Sequence, residues 1–181
     1  MKKENKSKYA ILGMLFDKPQ SGYEILQFMK ESTTHFWQES DASIYPMLKA
    51  LERDGLVTSR SEFVGKRERK IFEITASGKK YFLTWMALPA EKENNRSELL
   101  LKLFFGATTT QEENIKQLVM RRGQAQETKR IFRRIAEQTL SQVSDEHPHK
   151  QFWSMTLRYG LKLAEAELEW LDECINILKN K

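Results

Sequence analysis

Leu157, Leu161, Ala164, Leu168, Leu171, Ile175 and Leu178 follow one another at spacings of 4, 3, 4, 3, 4 and 3 residues. That rhythm commits the C-terminal stretch to an α-helix with a coiled-coil seam, because a 3.5-residue repeat keeps one apolar stripe on one side. A second stripe, Tyr159, Leu163, Ala166, Trp170, Cys174 and Ile177, runs beside it. One antiparallel neighbour covers so wide an apolar surface poorly, so we expect an intrachain partner together with a second subunit. Leu157, Leu161, Leu168, Leu171, Ile175 and Leu178 are the expected dimer contacts. The competing reading is a core helix of a monomer.

The rest of the C-terminal half has the same helical character. Ser97 can cap a helix over residues 98–105 that ends at Gly106, and Thr110 can cap a long one from about Gln111 to about Gln142. Asp145-Glu146-His147-Pro148-His149 makes the turn into the last helix. Residues 90–96, all polar apart from Ala90, separate this half from a different kind of sequence.

Residues 1–89 alternate helix and strand signals. Tyr9 to Phe16 form a short apolar helix closed by Asp17-Lys18-Pro19, and Ser21-Gly22 opens a second helix whose expected apolar face is Tyr23, Ile25, Leu26, Phe28 and Met29. His35-Phe36-Trp37 is expected to be extended. A third helix, capped by Ser40 or Asp41, carries Ile44, Tyr45, Leu48 and Leu51 and stops at Asp54-Gly55. Two β-type runs follow, residues 56–64 and 70–74, joined by the cationic tip Gly65-Lys66-Arg67-Glu68-Arg69. Thr75 then caps a helix expected to bury Tyr81, Phe82, Trp85 and Met86. The order is that of a winged helix-turn-helix, in which the third helix enters the major groove and the hairpin lies against the backbone.

Charge is distributed to match. The chain's net charge is +5, of which residues 1–85 contribute +4, with 15 basic and 11 acidic side chains. Most of that excess lies between Arg60 and Lys80 and at the N-terminus. A local basic segment suits a nucleic-acid footprint, although a charged hairpin on any soluble protein has the same composition. Ser43 and Tyr45 can offer hydroxyls to phosphates or base edges, Lys49 reaches the backbone one turn later, and Lys66, Arg67, Arg69 and Lys70 form the cationic wing. Tyr45 has a competing role in packing beside Pro46.

These residues also carry a resemblance. Tyr45-Pro46-Met47-Leu48-Lys49-Ala50-Leu51-Glu52-Arg53-Asp54-Gly55-Leu56-Val57 resembles the signature of the PadR family of bacterial transcriptional regulators. Residues 66–79 continue that pattern in order, and Ser21-Gly22-Tyr23-Glu24-Ile25 matches the preceding helix. The resemblance covers residues 8–86, and the helical tail is similar to the virulence-activator-like domain of longer members. Phe72 stands where the family often has tyrosine. The resemblance implies a homodimeric repressor of double-stranded DNA that leaves its operator when a small aromatic or hydrophobic effector binds. Phe36, Trp37, Trp153 and Tyr159 are the candidate effector contacts, although large aromatics on helices are more often core or interface residues.

Other chemistry is set aside. His147-x-His149 lacks the four convergent ligands of a closed metal site, and no phosphate loop, nucleophile elbow or His-Glu-x-x-His stretch is present, so neither metal, cofactor nor enzymatic activity is expected. Arg133 and Arg134 can pair with an anionic ligand or simply face solvent. The single cysteine, Cys174, excludes an internal disulfide, and no apolar run reaches the ~18 residues of a membrane span. A cytoplasmic setting follows. The expected fold is mainly α with a small β-hairpin: a winged helix-turn-helix over residues 1–89, a linker over 90–96, and a helical coiled-coil dimerisation and effector domain over 97–181. A helical ligand-binding or protein-interaction module without specific DNA binding is the alternative.

Overall fold

The computed structural model describes residues 5–33, 36–37, 39–65, 67–92 and 95–180, with the side chains of Asp41, Val64 and Arg67 also outside that description. The chain divides into two compact units, Met1–Lys92 and Glu93–Lys181.

In the first unit, α1 (Ser7–Met14) leads through the two-residue strand β1 (Gln20–Ser21) into α2 (Gly22–Ser32), followed by α3 (Asp41–Arg53). Then come β2 (Val57–Val64), β3 (Arg67–Ile74) and α4 (Ala76–Met86). Ser21 starts α2 with a reciprocal cap: its hydroxyl accepts from the Glu24 amide at 3.2 Å, and the Glu24 carboxylate accepts from the Ser21 amide at 2.8 Å. At the other end of α3, the Leu56 amide donates to Leu51 O (2.9 Å) and the Gly55 amide to Glu52 O (3.1 Å). This paired closure needs a left-handed residue, and Gly55 supplies it with φ +70°. Ser40 precedes α3 but makes no side-chain cap.

The sheet has three strands in the order β1-β3-β2, all antiparallel. Gln20 pairs with Phe72 and Ser21 with Ile71, so the hairpin gains a third strand beyond the two that alternation predicts. Ile11, Leu12 and Leu15, Ile25 and Met29, Ile44, Leu48 and Leu51, and Val57, Phe72 and Ile74 form one buried cluster. Every element of the unit except β1 and α4 contributes to it, and Tyr81 and Phe82 of α4 pack on its edge.

Three local expectations fail here. Tyr23 and Phe28 are exposed, off the buried face of α2. The amides of Phe36 and Trp37 both donate to Thr33 O, at 3.0 and 2.7 Å, so this segment continues a helical turn instead of extending; His35 lies outside the described residues. Met86 is exposed, because α4 turns only Tyr81, Phe82 and Trp85 inward. Tyr9 stacks between Tyr81 and Trp85, with ring centroids 5.5 and 4.4 Å away.

The second unit contains α5 (Glu98–Phe104), a single 3₁₀ turn over Gly106–Thr108, α6 (Gln111–Arg134) and α7 (Lys150–Lys179). Ser97 and Thr110 cap α5 and α6 as expected, Thr110 through a reciprocal box with Glu113. The long helix does not reach Gln142 with one pitch: it widens into a π turn over Ile135–Thr139 and tightens to 3₁₀ over Leu140–Gln142. The core is small. Leu118 and Ala125 of α6 meet Leu171 and Ile175 of α7, with Leu99, Leu103, Leu168, Trp170, Cys174 and Leu178 packed around them. Burial beside Glu173 raises the Cys174 thiol pKa.

This packing supplies the intrachain partner expected for the seam and takes Leu171 and Ile175 out of the expected dimer contacts. Leu168, Leu171, Ile175 and Leu178 face α5 and α6 of their own chain, and Leu171 and Ile175 are already buried there. Leu157 and Leu161 are half-buried. Ion pairs lock the same α6–α7 contact: Arg121 with Glu167 (2.7 Å), Arg122 with Asp172 (2.5 Å) and Lys129 with Glu165 (3.0 Å). The apolar residues left exposed are different ones: Phe152, Met155, Tyr159, Leu163 and Ile177 on α7, Val119 and Met120 on α6, and Leu100, Leu101, Phe104 and Phe105 in and just after α5.

Candidate nucleic-acid interface

α3 has two faces. Ile44, Leu48 and Leu51 enter the core, while Tyr45, Lys49 and Glu52, at spacings of four and three, lie along the outer one. Tyr45 is 49% exposed, yet its ring also packs on the start of α2: a Cβ added to Gly22 would come within 2.7 Å of it. Packing and presentation therefore hold for the same side chain, the ring held and its edge offered. Lys49 is exposed. The Ser43 hydroxyl lies 2.7 Å from Ser40 O and 2.9 Å from the Glu39 carboxylate, so its one proton is engaged within the chain and its outward role is as an acceptor.

The hairpin turns tightly. Val64 pairs with Arg67, leaving Gly65-Lys66 as a two-residue link, and Gly65 adopts φ +63° as such turns demand. Lys66 lies outside the described residues, as does the Arg67 side chain. Arg69 and Lys70 are described, and each is ion-paired. Arg69 reaches Glu24 (3.4 Å) and Glu62 (3.2 Å), and Lys70 reaches Glu52 (2.8 Å). Arg60 joins the same lattice through Glu62 (2.9 Å) and Glu73 (3.4 Å). Ser59 donates to the Glu52 carboxylate as well.

The acids respond to these cations. The hydrogen bonds from Lys70, then Ser59, hold Glu52 below the usual carboxylate range, and those from Arg60 and Arg69 do the same for Glu62. Glu24 is lowered first by the Ser21 amide and hydroxyl of its cap, with Arg69 a smaller contributor. Glu52 thus ties the outer face of α3 to β3, and Glu24 ties the start of α2 to the wing. Reading the basic residues alone misses these acids. Their partners become visible only with the strand register, in which Glu62 stands directly across from Arg69.

The effector candidates divide between the two units. Phe36 is exposed, whereas Trp37 packs on the core and donates its indole N–H to Glu39 at 2.9 Å. Trp153 lies beside His147 and His149, at centroid distances of 4.8 and 5.8 Å. Tyr159 is exposed six residues further along α7, off the three- or four-residue spacing that would share a face. The open groove between α6 and α7 is lined instead by charge, including Arg122, Lys129, Arg130, Arg133, Arg134 and Glu165. Arg133 there points to Glu165 at 3.7 Å. Among the described residues, no three His, Cys, Asp or Glu side chains converge as metal ligands, and no helix is long and apolar enough to cross a membrane.

The sequence pattern of the transcriptional regulator PadR-like family matches residues 11–83, and that of the virulence activator alpha C-terminal domain matches residues 95–179. The chain belongs to the PadR-like family of transcriptional regulators. The negative transcriptional regulator PadR of Bacillus subtilis is 36% identical over 108 residues, which span 59% of this chain and 59% of that one. The crystal structure of Bacillus subtilis PadR in complex with operator DNA superposes with a TM-score of 0.85 at 26% identity, covering 96% of this chain and 99% of that chain. The same regulator in complex with p-coumaric acid gives a TM-score of 0.82 at 24% identity, covering 97% and 99%. Within this PadR-like chain Phe72 is buried, under Lys70 Nζ at 5.3 Å from its ring centroid. The position that often carries tyrosine in the family therefore serves here as core.

Proposed function

We propose that this PadR-like regulator binds double-stranded DNA as a homodimeric repressor and leaves its operator when a small aromatic or hydrophobic effector binds. The observation that carries the reading is the shared outward presentation of α3 and the basic hairpin, in a fold that superposes over almost its whole length on an operator-bound relative. Tyr45 and Lys49 meet the major groove and its flanking phosphates, and Lys66, Arg67, Arg69 and Lys70 follow the backbone beside it. Arg69 and Lys70 exchange carboxylate partners for phosphates on binding.

For the dimer contact we assign the exposed stripe Phe152, Met155, Tyr159 and Leu163 together with the N-terminal part of the seam, Leu157 and Leu161. The buried half of the seam is occupied within the chain. Effector release draws its support from the p-coumaric acid complex of the Bacillus subtilis relative. We place the regulator in the cytoplasm, where its operator is.

The test is binding to a duplex that the protein selects from a randomised library, measured over a series of KCl concentrations. Removing one cation that neutralises a phosphate should lower the slope of log K against log salt by ~0.9, so Lys66→Ala with Arg67→Ala should lower it by about 2. Affinity that ignores both salt and these substitutions would favour a protein-docking role for the winged domain.

A further inference from the structure

Alternation along β2 puts Val57, Ser59, Ser61 and Phe63 on one face. Their cross-strand partners are Ile74, Phe72, Lys70 and Glu68. Nearest the core, Val57, Phe72 and Ile74 are buried. One step out, Ser59 and Lys70 both bond Glu52 of α3, which shows that this face of the hairpin is turned toward the recognition helix. One step further, the Ser61 hydroxyl donates to Glu68 at 2.6 Å. Phe63 ends the row, 72% exposed, two residues before the Gly65 turn.

Nothing in the packing of the unit calls for an aromatic there. The core stops at Val57 and Phe72, and among the described residues Phe63 is the only exposed large apolar side chain between Tyr45 and Leu83. Its chain neighbours are Glu62 and Val64 and its cross-strand partner is Glu68, while the cations Lys66, Arg67 and Arg69 follow within six residues. A lone ring in this charged hairpin is too small for a protein-docking patch, which needs a contiguous apolar area. It does match the minor groove of a duplex, whose walls are apolar deoxyribose faces and whose rims are phosphates.

We propose that Phe63 is the wing's apolar contact with DNA, lying against the sugar walls of the minor groove. This rests on the DNA-binding reading above. The ring then contributes affinity that salt does not screen, which separates it from the cations of the wing.

The experiment uses the full-length protein and the duplex it selects from a randomised library, with anisotropy measured over a KCl series. Phe63→Ala should weaken binding on the order of 10-fold, as expected for removal of one well-packed aromatic ring. The salt slope should stay at the wild-type value. Phe63→Leu, which keeps apolar bulk, should bind within about 3-fold of wild type, since it retains most of that buried area. Wild-type affinity in Phe63→Ala, or a reduced salt slope, would overturn the proposal while leaving the DNA-binding reading intact. Dissociation of the dimer by Phe63→Ala in sedimentation would assign the ring to chain association and also overturn it. If the wild-type protein selects no duplex, the DNA-binding reading falls and this inference with it.

Discussion

The two units of this regulator solve the problem of burying apolar side chains differently. Residues 1–92 gather three helices and a three-stranded sheet around one closed cluster, and Ile11, Leu12, Ile25, Ile44 and Leu48 are wholly withdrawn from solvent. Residues 93–181 form a unit of nearly the same length but bury far fewer side chains: the core is essentially Leu118, Ala125, Leu171 and Ile175, while Phe104 remains 82% exposed and Tyr159 62%. A unit that folds around its own core can present polar chemistry on its surface. Two long helices and a short one cannot enclose all their apolar side chains by themselves, and the surplus stays exposed.

The comparison can be broken most severely at the α6–α7 contact. Leu171→Asp puts a charge into a fully buried position with no partner, and it should destabilise the second unit by about 4 kcal/mol or more. Loss of the corresponding helical signal at 222 nm, with the first unit's melting unchanged, is the expected result. Leu163→Asp makes the same chemical change on the exposed stripe, where the fold should tolerate it with a loss under ~1 kcal/mol. Its expected consequence is monomer in sedimentation. A dimer that survives Leu163→Asp would take the interface off the exposed stripe.

Smaller effects sharpen the description of the first unit. Ser21→Ala removes the reciprocal cap of α2 and should lower stability by about 1 kcal/mol in thermal melting. Acid provides the mildest test. Glu24 and Glu52 have pKa values below the ordinary carboxylate value, so their contribution is complete above that value and is lost as pH falls through the lowered ones. The melting temperature of the first unit should therefore decline on acidification, and Glu52→Gln should flatten the decline. An unchanged acid profile in that variant would mean that the Lys70 and Ser59 bonds to Glu52 add nothing to stability.

Much of this architecture is legible residue by residue. Turn chemistry at Asp54-Gly55 and Gly65, caps at Ser21, Thr75, Ser97 and Thr110, and the alternation of residues 57–63 are local signals, and local geometry obeys them. β1 escapes notice because two residues show no period; only Phe72 and Ile71 across the sheet make Gln20 and Ser21 a strand. The apolar character of Phe36 and Trp37 suggests an extended segment, but the Thr33 carbonyl accepts both their amides and keeps the chain coiled. The wing cations are legible as charge, whereas their acidic partners follow from register, which no count of Lys and Arg contains.

The heptad of the last helix marks the boundary between the two kinds of information. Spacings of 4 and 3 are enough to say that Leu157 to Leu178 form one stripe of one helix, because the helical repeat is a property of the backbone. They do not say what faces the stripe. That is decided in three dimensions, where Leu118 and Ala125 of α6, with ion pairs from Arg121, Arg122 and Lys129 on either side, meet the C-terminal half of the seam first. An apolar stripe is satisfied by any complementary surface, and an intrachain neighbour is already tethered beside it, so it is met at far higher effective concentration than a second copy.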